Sequence, residues 1–348
     1  MREVEERRSR PGHRHVPRGR RGAHAGRDSD GELRSPQVRR RRLVGSLARG
    51  AAALGAVAAA GAAAAVWGIG IERYLFTVRR HVIRMLEPGS APIRILHISD
   101  AHMAPWQHRK QRWMAGLVSL RPDLVINTGD NLGHVDGIDG IREALSPLAG
   151  VPGVFVHGSN DMYGPGPRNP FLYFTGPSKC PPKAVRLDTA SLDAFMTDDL
   201  GWHSVDNGAA TVTVRGQRIR LFGVGDAHHG LDDMEAAAAA LGEQPDAPLT
   251  LGVAHAPYRR VLDGFSDRGA DVLFAGHTHG GQVRVPFYGA LVANCDIPLR
   301  QARGLSTWAH RGRVVPLNVS AGLGHSIYAP VRFACRPEVS LITLAPRA

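Results

Sequence analysis

Five groups of polar residues each follow a short apolar run, and this arrangement limits the folds open to the chain. The groups are Asp100 with His102, Asp130, Asn160 with Asp161, His255, and His277 with His279. The apolar runs have strand length, and helical patterns at 108–120 and 138–148 separate the first three. A β-α-β-α-β order predicts parallel strands with crossover helices. The polar groups then meet beyond the carboxyl ends of the strands, where open α/β sheets bind ligands.

These residue types suit a pair of divalent metal ions. Two ions about 4 Å apart need a carboxylate that binds both, and Asp130 suits that role. Asp100 and His102 lie on one side of an extended segment, so both side chains reach one ion. His277 and His279 repeat this spacing, and the glycines beside them permit close backbone approach. Such a centre predicts hydrolysis of a phosphate ester, in which a metal-bound hydroxide attacks phosphorus.

The remaining patterns divide the chain into further elements. Strands are predicted at 93–98, 123–128, 154–157, 211–214, 218–224, 249–254, 272–275, 314–320 and 339–344, with a helix at 232–241. Residues 165–182 are rich in Pro and Gly and form a loop too long for a simple connection.

The N-terminal part of the chain has a different composition. Residues 1–49 form a predicted disordered arm, since the first 50 residues contain fifteen arginines and no lysine. Residues 50–71 carry no charge over 22 positions, which is enough to cross a membrane. Residues 72–92 are predicted as a linker, and residues 93–346 as the catalytic domain. The apolar segment is interpreted as an uncleaved anchor, with a cleaved export signal and a buried soluble helix as alternatives.

Charge gives a preferred orientation and argues against two other classes of protein. Six arginines lie close before the apolar segment and four lie close after it, which favours a single-pass protein of the cell membrane with an extracytoplasmic domain. The net charge of +12 is concentrated in the arm, so no specific nucleic-acid binding is expected, although binding through the arm stays open as an alternative. Three cysteines without paired spacing argue against a zinc knuckle or a disulfide framework.

Taken in order, the polar motifs resemble those of the calcineurin-like metallophosphoesterase family. The matching strings are Arg94-Ile95-Leu96-His97-Ile98-Ser99-Asp100-Ala101-His102, Gly129-Asp130, Gly158-Ser159-Asn160-Asp161, His255-Ala256-Pro257 and Gly276-His277-Thr278-His279-Gly280-Gly281-Gln282. The last string also resembles the bacterial membrane-associated branch of the family. The resemblance implies a four-layer α/β/β/α sandwich of two mixed sheets and two divalent metal ions, commonly Mn, Fe or Zn.

Carried over by motif, the resemblance assigns ligands to each ion. Asp100, His102, Asp130 and His279 would hold one ion. The second ion would bind Asp130, an asparagine of the third motif, His255 and His277. Asn131 is a candidate contact to the substrate phosphate, and a turn-capping role is its alternative.

The third motif departs from the family pattern, which has Gly-Asn-His-Asp or Gly-Asn-His-Glu. Without a gap, Ser159 takes the place of the ligand Asn, and Asn160 that of the catalytic His. With a shift of one residue, Asn160 is the ligand and Asp161 takes the place of the His as candidate acid. The shifted alignment is favoured because an amide oxygen is a better ligand than a neutral hydroxyl. In both alignments the usual histidine is missing.

Two functions therefore remain in competition. The first is a binuclear phosphoesterase acting on a phosphomonoester, phosphodiester or pyrophosphate, with a lipid-linked substrate favoured by the anchor. The second is a metal-binding pseudoenzyme that serves as a membrane scaffold, which the missing histidine suggests. The sequence does not define the oligomeric state.

Overall fold

The computed structural model describes residues 36–166 and 185–347. The predicted arm up to residue 35 and the predicted loop from residue 167 to 182 lie outside these ranges. The strands are β1 Thr77–Leu86, β2 Ile93–Ile98, β3 Leu124–Asn127, β4 Gly153–Phe155, β5 His203–Ser204, β6 Gly208–Val214, β7 Gln217–Val224, β8 Leu249–Ala254, β9 Val272–Ala275, β10 Arg284–Val285, β11 Gly289–Ala290, β12 Gly304–His310, β13 Arg313–Val319 and β14 Glu338–Pro346. The helices are α1 Pro36–Val66, α2 His108–Ala115, α3 Ile138–Leu145, α4 Ser159–Met162, α5 Thr189–Ala194, α6 Met234–Gly242 and α7 Arg259–Asp267.

Two six-stranded mixed sheets form the centre of the catalytic domain. The first has the order β1-β14-β2-β3-β4-β5, in which β14 runs antiparallel to β2 and the strands from β2 to β5 are parallel. The second has the order β12-β13-β9-β8-β7-β6, with parallel strands from β13 to β7 and an antiparallel strand at each edge. The strands that carry the polar motifs are therefore central and parallel, as the sequence predicted.

The sheets pack face to face and helices cover their outer faces. Ile95 and Ile126 of the first sheet share one buried core with Leu221, Val253 and Phe274 of the second. A second core joins the first sheet to α2, α3 and α5, and a third joins the second sheet to α6 and α7. Each fully buried large apolar side chain contributes about 1.5–3 kcal/mol. The predicted four-layer α/β/β/α sandwich is confirmed.

The apolar helix begins earlier than the sequence suggested. The described residues 36–57 belong to a unit of their own and are helical from Pro36. Residues 36–49, predicted as part of the disordered arm, are thus helical, because Arg, Ala and Leu are strong helix formers. The apolar stretch Leu47–Tyr74 covers 28 residues, and its most apolar 18-residue window has a mean hydropathy of 1.8 and is 6 % buried. It is long and apolar enough to span a membrane.

About half of the predicted linker at 72–92 is a strand. Within it, β1 pairs in parallel with β14 from Thr77 to Leu86 and places Ile83 and Leu86 in the core. The sequence did not reveal β1 because an edge strand exposes one face, and arginines on that face interrupt the apolar run.

The end of the apolar helix is fixed to the catalytic domain by buried hydrogen bonds. The Glu72 carboxylate accepts the backbone N–H groups of Ala334 and Cys335 at 2.9 and 2.7 Å. Gly68 accepts the backbone N–H of Arg332 at 3.1 Å, and a Cβ at Gly68 would lie 2.9 Å from the Arg332 carbonyl oxygen. This close approach requires glycine.

We expect a soluble fragment that starts at Ala91 to be much less stable than one that starts at Glu72. The shorter fragment loses β1, which exposes the edge of β14 and removes the burial of Ile83 and Leu86. The lost burial amounts to about 4 kcal/mol, or a melting temperature about 10 °C lower. Circular dichroism and size-exclusion chromatography of the two fragments provide the measurement. Equal melting temperatures would show that β1 is dispensable.

Candidate metal centre

Loops that follow the central strands of both sheets converge at one edge of the sandwich. The backbone N–H of His277 donates to the Asp100 carboxylate at 3.0 Å, which joins the loop after β9 to the loop after β2. Five candidate ligands adopt positive φ, between 40° and 65°: Asp100, His102, Asp130, His277 and His279. This conformation is uncommon for residues other than glycine and is concentrated at functional sites.

The first group of potential ligands consists of Asp100, His102 and His279. Their ligand atoms lie within 4.8 Å of one another. The Nε2 atoms of His102 and His279 face each other at 3.0 Å, and His279 Nε2 lies 3.5 Å from an Asp100 carboxylate oxygen. Two imidazole nitrogens and a carboxylate directed at one point form a donor set typical of Mn, Fe or Zn.

The second group consists of Asp100, Asp130 and His255. His255 Nδ1 donates to the carbonyl oxygen of Thr128 at 2.7 Å, so Nε2 is the atom that would bind a metal ion, with loss of its proton. This Nε2 is buried and has no hydrogen-bond partner among the described residues. It lies 3.6 Å from Asp130 Oδ2, which is 3.5 Å from His102 Nε2. Asp130 thus stands between the two groups.

The electrostatics of the site suit bound cations. Burial lowers the pKa of His102 to about 4 and that of His277 to about 3, so both rings are neutral and able to ligate at pH 7. Burial raises the pKa of Asp100 to about 7. Burial alone lowers the pKa of His255, but Asp130, Asp226 and Asp100 raise it to about 9. The carboxylates therefore attract positive charge strongly.

Two glycines make room for this arrangement. A Cβ at Gly158 would lie 2.2 Å from Asp130 Oδ1, and a Cβ at Gly276 would lie 1.9 Å from Ser99 Oγ and 2.6 Å from Asp100 Oδ2. Any side chain there would displace the carboxylates. The uncommitted nitrogen of His255, the neutral imidazoles and these glycines together show that the residues fit a metal centre.

The third motif divides its roles differently from either predicted alignment. Asn160 faces the site, where its backbone N–H and its Nδ2 donate to the two oxygens of Asp130 at 2.8 Å each. Asp161 points inward and is fully buried. Its oxygens accept the backbone N–H groups of Asp130, Asn131, Leu132 and Gly158 at 2.6–3.2 Å. Burial raises the pKa of Asp161 to about 6. The predicted role of Asp161 as an acid is not supported, because both oxygens are occupied in shaping the Asp130 loop.

Two other predicted residues differ from their expected positions. Asn131 is buried, and its amide bonds to Asn127 at 2.8 Å and to Asp161 at 3.3 Å, so it shapes the turn. His277 directs Nε2 to the carbonyl oxygen of Asn294 at 3.1 Å, and its ring centroid lies 5.1 Å from that of His255. It borders the second group.

Two residues that the sequence reasoning missed also shape the site. Asp226 is buried at the end of β7, where it accepts the His228 backbone N–H at 2.9 Å and contacts His229 Nδ1 at 2.8 Å. Gly225-Asp226 repeats the strand–Gly–Asp order of Gly129-Asp130 and could have been noticed. Arg332 is fully buried and donates to the carbonyl oxygens of Ala321, Gly322 and Gly324 at 2.6–3.1 Å. It supports the loop of Gly322, which packs against Asp100. No local sequence pattern predicts this role.

Comparison with known proteins agrees with this geometry. The model of the calcineurin-like phosphoesterase family matches residues 93–281. The chain belongs to this family and is a hydrolase of phosphoric esters. The uncharacterized metallophosphoesterase YkuE of Bacillus subtilis (strain 168) is 25 % identical over 299 residues, covering 82 % of this chain and 93 % of YkuE. The phosphodiesterase YaeI of Escherichia coli (strain K12) is 26 % identical over 275 residues, covering 77 % and 88 %.

Replacement of Asp161 by Asn is expected to destabilise the domain and to weaken metal binding. The amide retains one acceptor oxygen and turns an NH₂ group toward backbone N–H donors, at a cost of about 3 kcal/mol. Thermal unfolding and Mn titration of the purified protein measure the two effects. Asp136→Asn, in the loop after β3 to which Asp161 bonds but with a carboxylate 74 % exposed, serves as control and should change stability by less than about 0.5 kcal/mol. Equal behaviour of the two variants would contradict the structural role of Asp161.

Proposed function

We propose that the chain is a binuclear metal-dependent phosphoesterase that hydrolyses a phosphomonoester, phosphodiester or pyrophosphate at a membrane. The observation that carries the proposal is the position of Asp130 Oδ2, 3.5 Å from His102 Nε2 and 3.6 Å from His255 Nε2. A carboxylate oxygen shared between two imidazoles of different groups is what a bridging ligand requires.

The assignment of ligands rests on the contacts of the two groups and, for Asn160 and His277, on the order of the motifs. One ion would bind Asp100, His102, His279 and Asp130, and the other Asp130, Asn160, His255 and His277. Two divalent ions, Mn, Fe or Zn, would supply an activated water and neutralise charge on the phosphoryl oxygens. A 180° flip of the Asn160 side-chain amide would present its oxygen in place of Nδ2, so this residue would bind a metal ion without a change in the backbone.

The other residues of the site orient these ligands. Thr128 fixes the tautomer of His255 through its carbonyl oxygen. Asp161 holds the turn that carries Asp130 by accepting its backbone N–H groups. Arg332 stabilises the loop of Gly322, which packs against Asp100. Such supporting contacts typically change metal affinity or activity 10- to 100-fold.

The apolar helix supports the proposed membrane location. The segment Leu47–Tyr74 has too little protein cover for a core helix, with 6 % of its most apolar window buried. Arginines are more numerous before the helix than after it, which favours a single span with the catalytic domain outside the cytoplasm. A substrate that is itself lipid-linked fits this placement.

Asp130→Asn is expected to reduce kcat/KM at least about 100-fold, because it removes the proposed bridging carboxylate, which lies between His102 and His255. The assay is Mn-stimulated hydrolysis of p-nitrophenyl phosphate and its bis ester by the full-length protein in detergent, with metal content measured in parallel. Asp246→Asn is the matched control, since its carboxylate is fully exposed at 101 %.

The same assay separates the two functions under consideration. Retention of full activity in Asp130→Asn would contradict the bridging role. Wild-type protein that binds two metal ions and hydrolyses neither ester would instead favour the metal-binding scaffold. The missing histidine of the third motif is the observation behind that alternative.

Deletion of residues 1–71 is expected to move the protein from the membrane to the soluble fraction. The remaining chain keeps Glu72 and β1, so loss of membrane association would not reflect unfolding. Cell fractionation with immunoblotting provides the measurement, and a melting curve of the soluble product provides the control. A deletion product that stays in the membrane fraction would refute the span.

A further inference from the structure

A cleft of about 260 Å³ lies where the apolar helix meets the catalytic domain. The residues of its wall that bear on its chemistry are Arg73, Tyr74, Phe76, Trp106, Arg109 and Leu323. Arg73 and Tyr74 end the apolar segment, Trp106 and Arg109 flank the start of α2, and Leu323 belongs to the loop after β13. The cleft is therefore built from the helix end and from two loops of the metal centre.

The charged groups of the cleft suit an anion. The guanidinium carbons of Arg73 and Arg109 lie 4.5 and 5.6 Å from the centre of the Tyr74 ring. The Nε–H of Arg73 is buried and donates to no partner among the described residues, a state that costs about 1–3 kcal/mol unless a ligand accepts it. Of the described residues, no carboxylate lines the cleft. Glu72 is next in sequence, but its oxygens are bound to the N–H groups of Ala334 and Cys335.

The apolar groups suit an amphiphile. Phe76, Leu323 and Ile327 line the same cleft, and the Trp106 side chain is 58 % exposed. Aromatic and basic side chains at the end of a membrane span lie at the depth of the lipid head groups. A free phosphate ion would use the arginines and leave these apolar groups in contact with water.

The cleft is in direct contact with the metal-binding loop. Lys110, another lining residue, donates through Nζ to the carbonyl oxygens of Ala101 and His102. Leu323 donates its backbone N–H to the carbonyl oxygen of Ser99 at 3.1 Å. A ligand held in the cleft is thus held beside Asp100 and His102.

We propose that this cleft binds the phosphate-bearing head group of a membrane lipid. Arg73 and Arg109 contact the phosphate, and Phe76 and Leu323 contact the apolar part next to it. The inference rests on the proposed membrane span and does not depend on the proposed hydrolysis. The ligands of the surface next to the metal centre would then be membrane lipids with a phosphate head group.

The test is calorimetric titration of the full-length, Mn-loaded protein in a neutral detergent with dihexyl phosphate, a diester with two short chains. Diethyl phosphate and inorganic phosphate serve as probes without chains. The wild type should bind dihexyl phosphate at least about tenfold more tightly than either. Arg109→Gln should weaken this binding about tenfold, since it removes a charged hydrogen-bond donor, and Arg109→Lys should restore most of it.

Arg112→Gln is the matched control, because Arg112 is exposed on the same helix and does not line the cleft. Unchanged binding in Arg112→Gln together with weakened binding in Arg109→Gln would establish the cleft. Equal binding by the two variants would overturn the proposal. Equal affinity for all three probes would mean a free-phosphate site and would overturn the lipid assignment. Loss of ester hydrolysis with retained Arg109-dependent binding would affect the proposed function alone.

Discussion

The concentration of negative charge at the edge shared by the two sheets governs the site. Asp100, Asp130 and Asp226 are all buried there, each at 3 % exposure or less. Carboxylates removed from water in this way are costly unless cations balance them. Three of the surrounding histidines, His102, His277 and His279, are poorly suited to be those cations, since burial lowers their pKa. Against burial, the carboxylates raise the pKa of His255 alone among the proposed imidazole ligands, which leaves much of the negative charge unbalanced. Divalent metal ions satisfy the carboxylates and the neutral imidazoles together.

Much of the scaffold around this charge could be predicted from the sequence. Strands β2, β8 and β9 lie inside the sheets and are almost wholly buried, so their segments are mostly apolar and their ends lie close to the predicted positions. Strand β1 could not be recognised in the same way, because four of its ten residues are arginine or histidine on an exposed or half-exposed face. The strand is defined by its pairing with β14, a partner more than 250 residues away along the chain. The local sequence does not predict that pairing.

The site illustrates the same limit on a smaller scale. The types of ligand and their order could be predicted from the sequence. The direction of each side chain in the third motif could not. In the helix of four residues, Ser159–Met162, Asn160 faces the side chain of Asp130. Asp161 faces the backbone of the loop after β3. Alignment by residue type predicts instead that Asp161 faces the substrate, in the place of the catalytic histidine. The partners of Arg332 were equally hidden, since its carbonyl acceptors come from a loop whose path depends on the whole fold.

The hydrogen bonds of Glu72 have a consequence for how such an enzyme meets its substrate. A tether of flexible residues would let the catalytic domain sweep a large volume of solvent. Here Gly68 and Glu72 bond directly to residues 332–335, and β1 follows within the sheet, so the described chain has no slack between the apolar helix and the domain. In the proposed membrane setting, these bonds would hold the domain close to the bilayer surface. Encounters with substrate would then depend on lateral diffusion within the membrane plane, and molecules dissolved far from the surface would be sampled poorly.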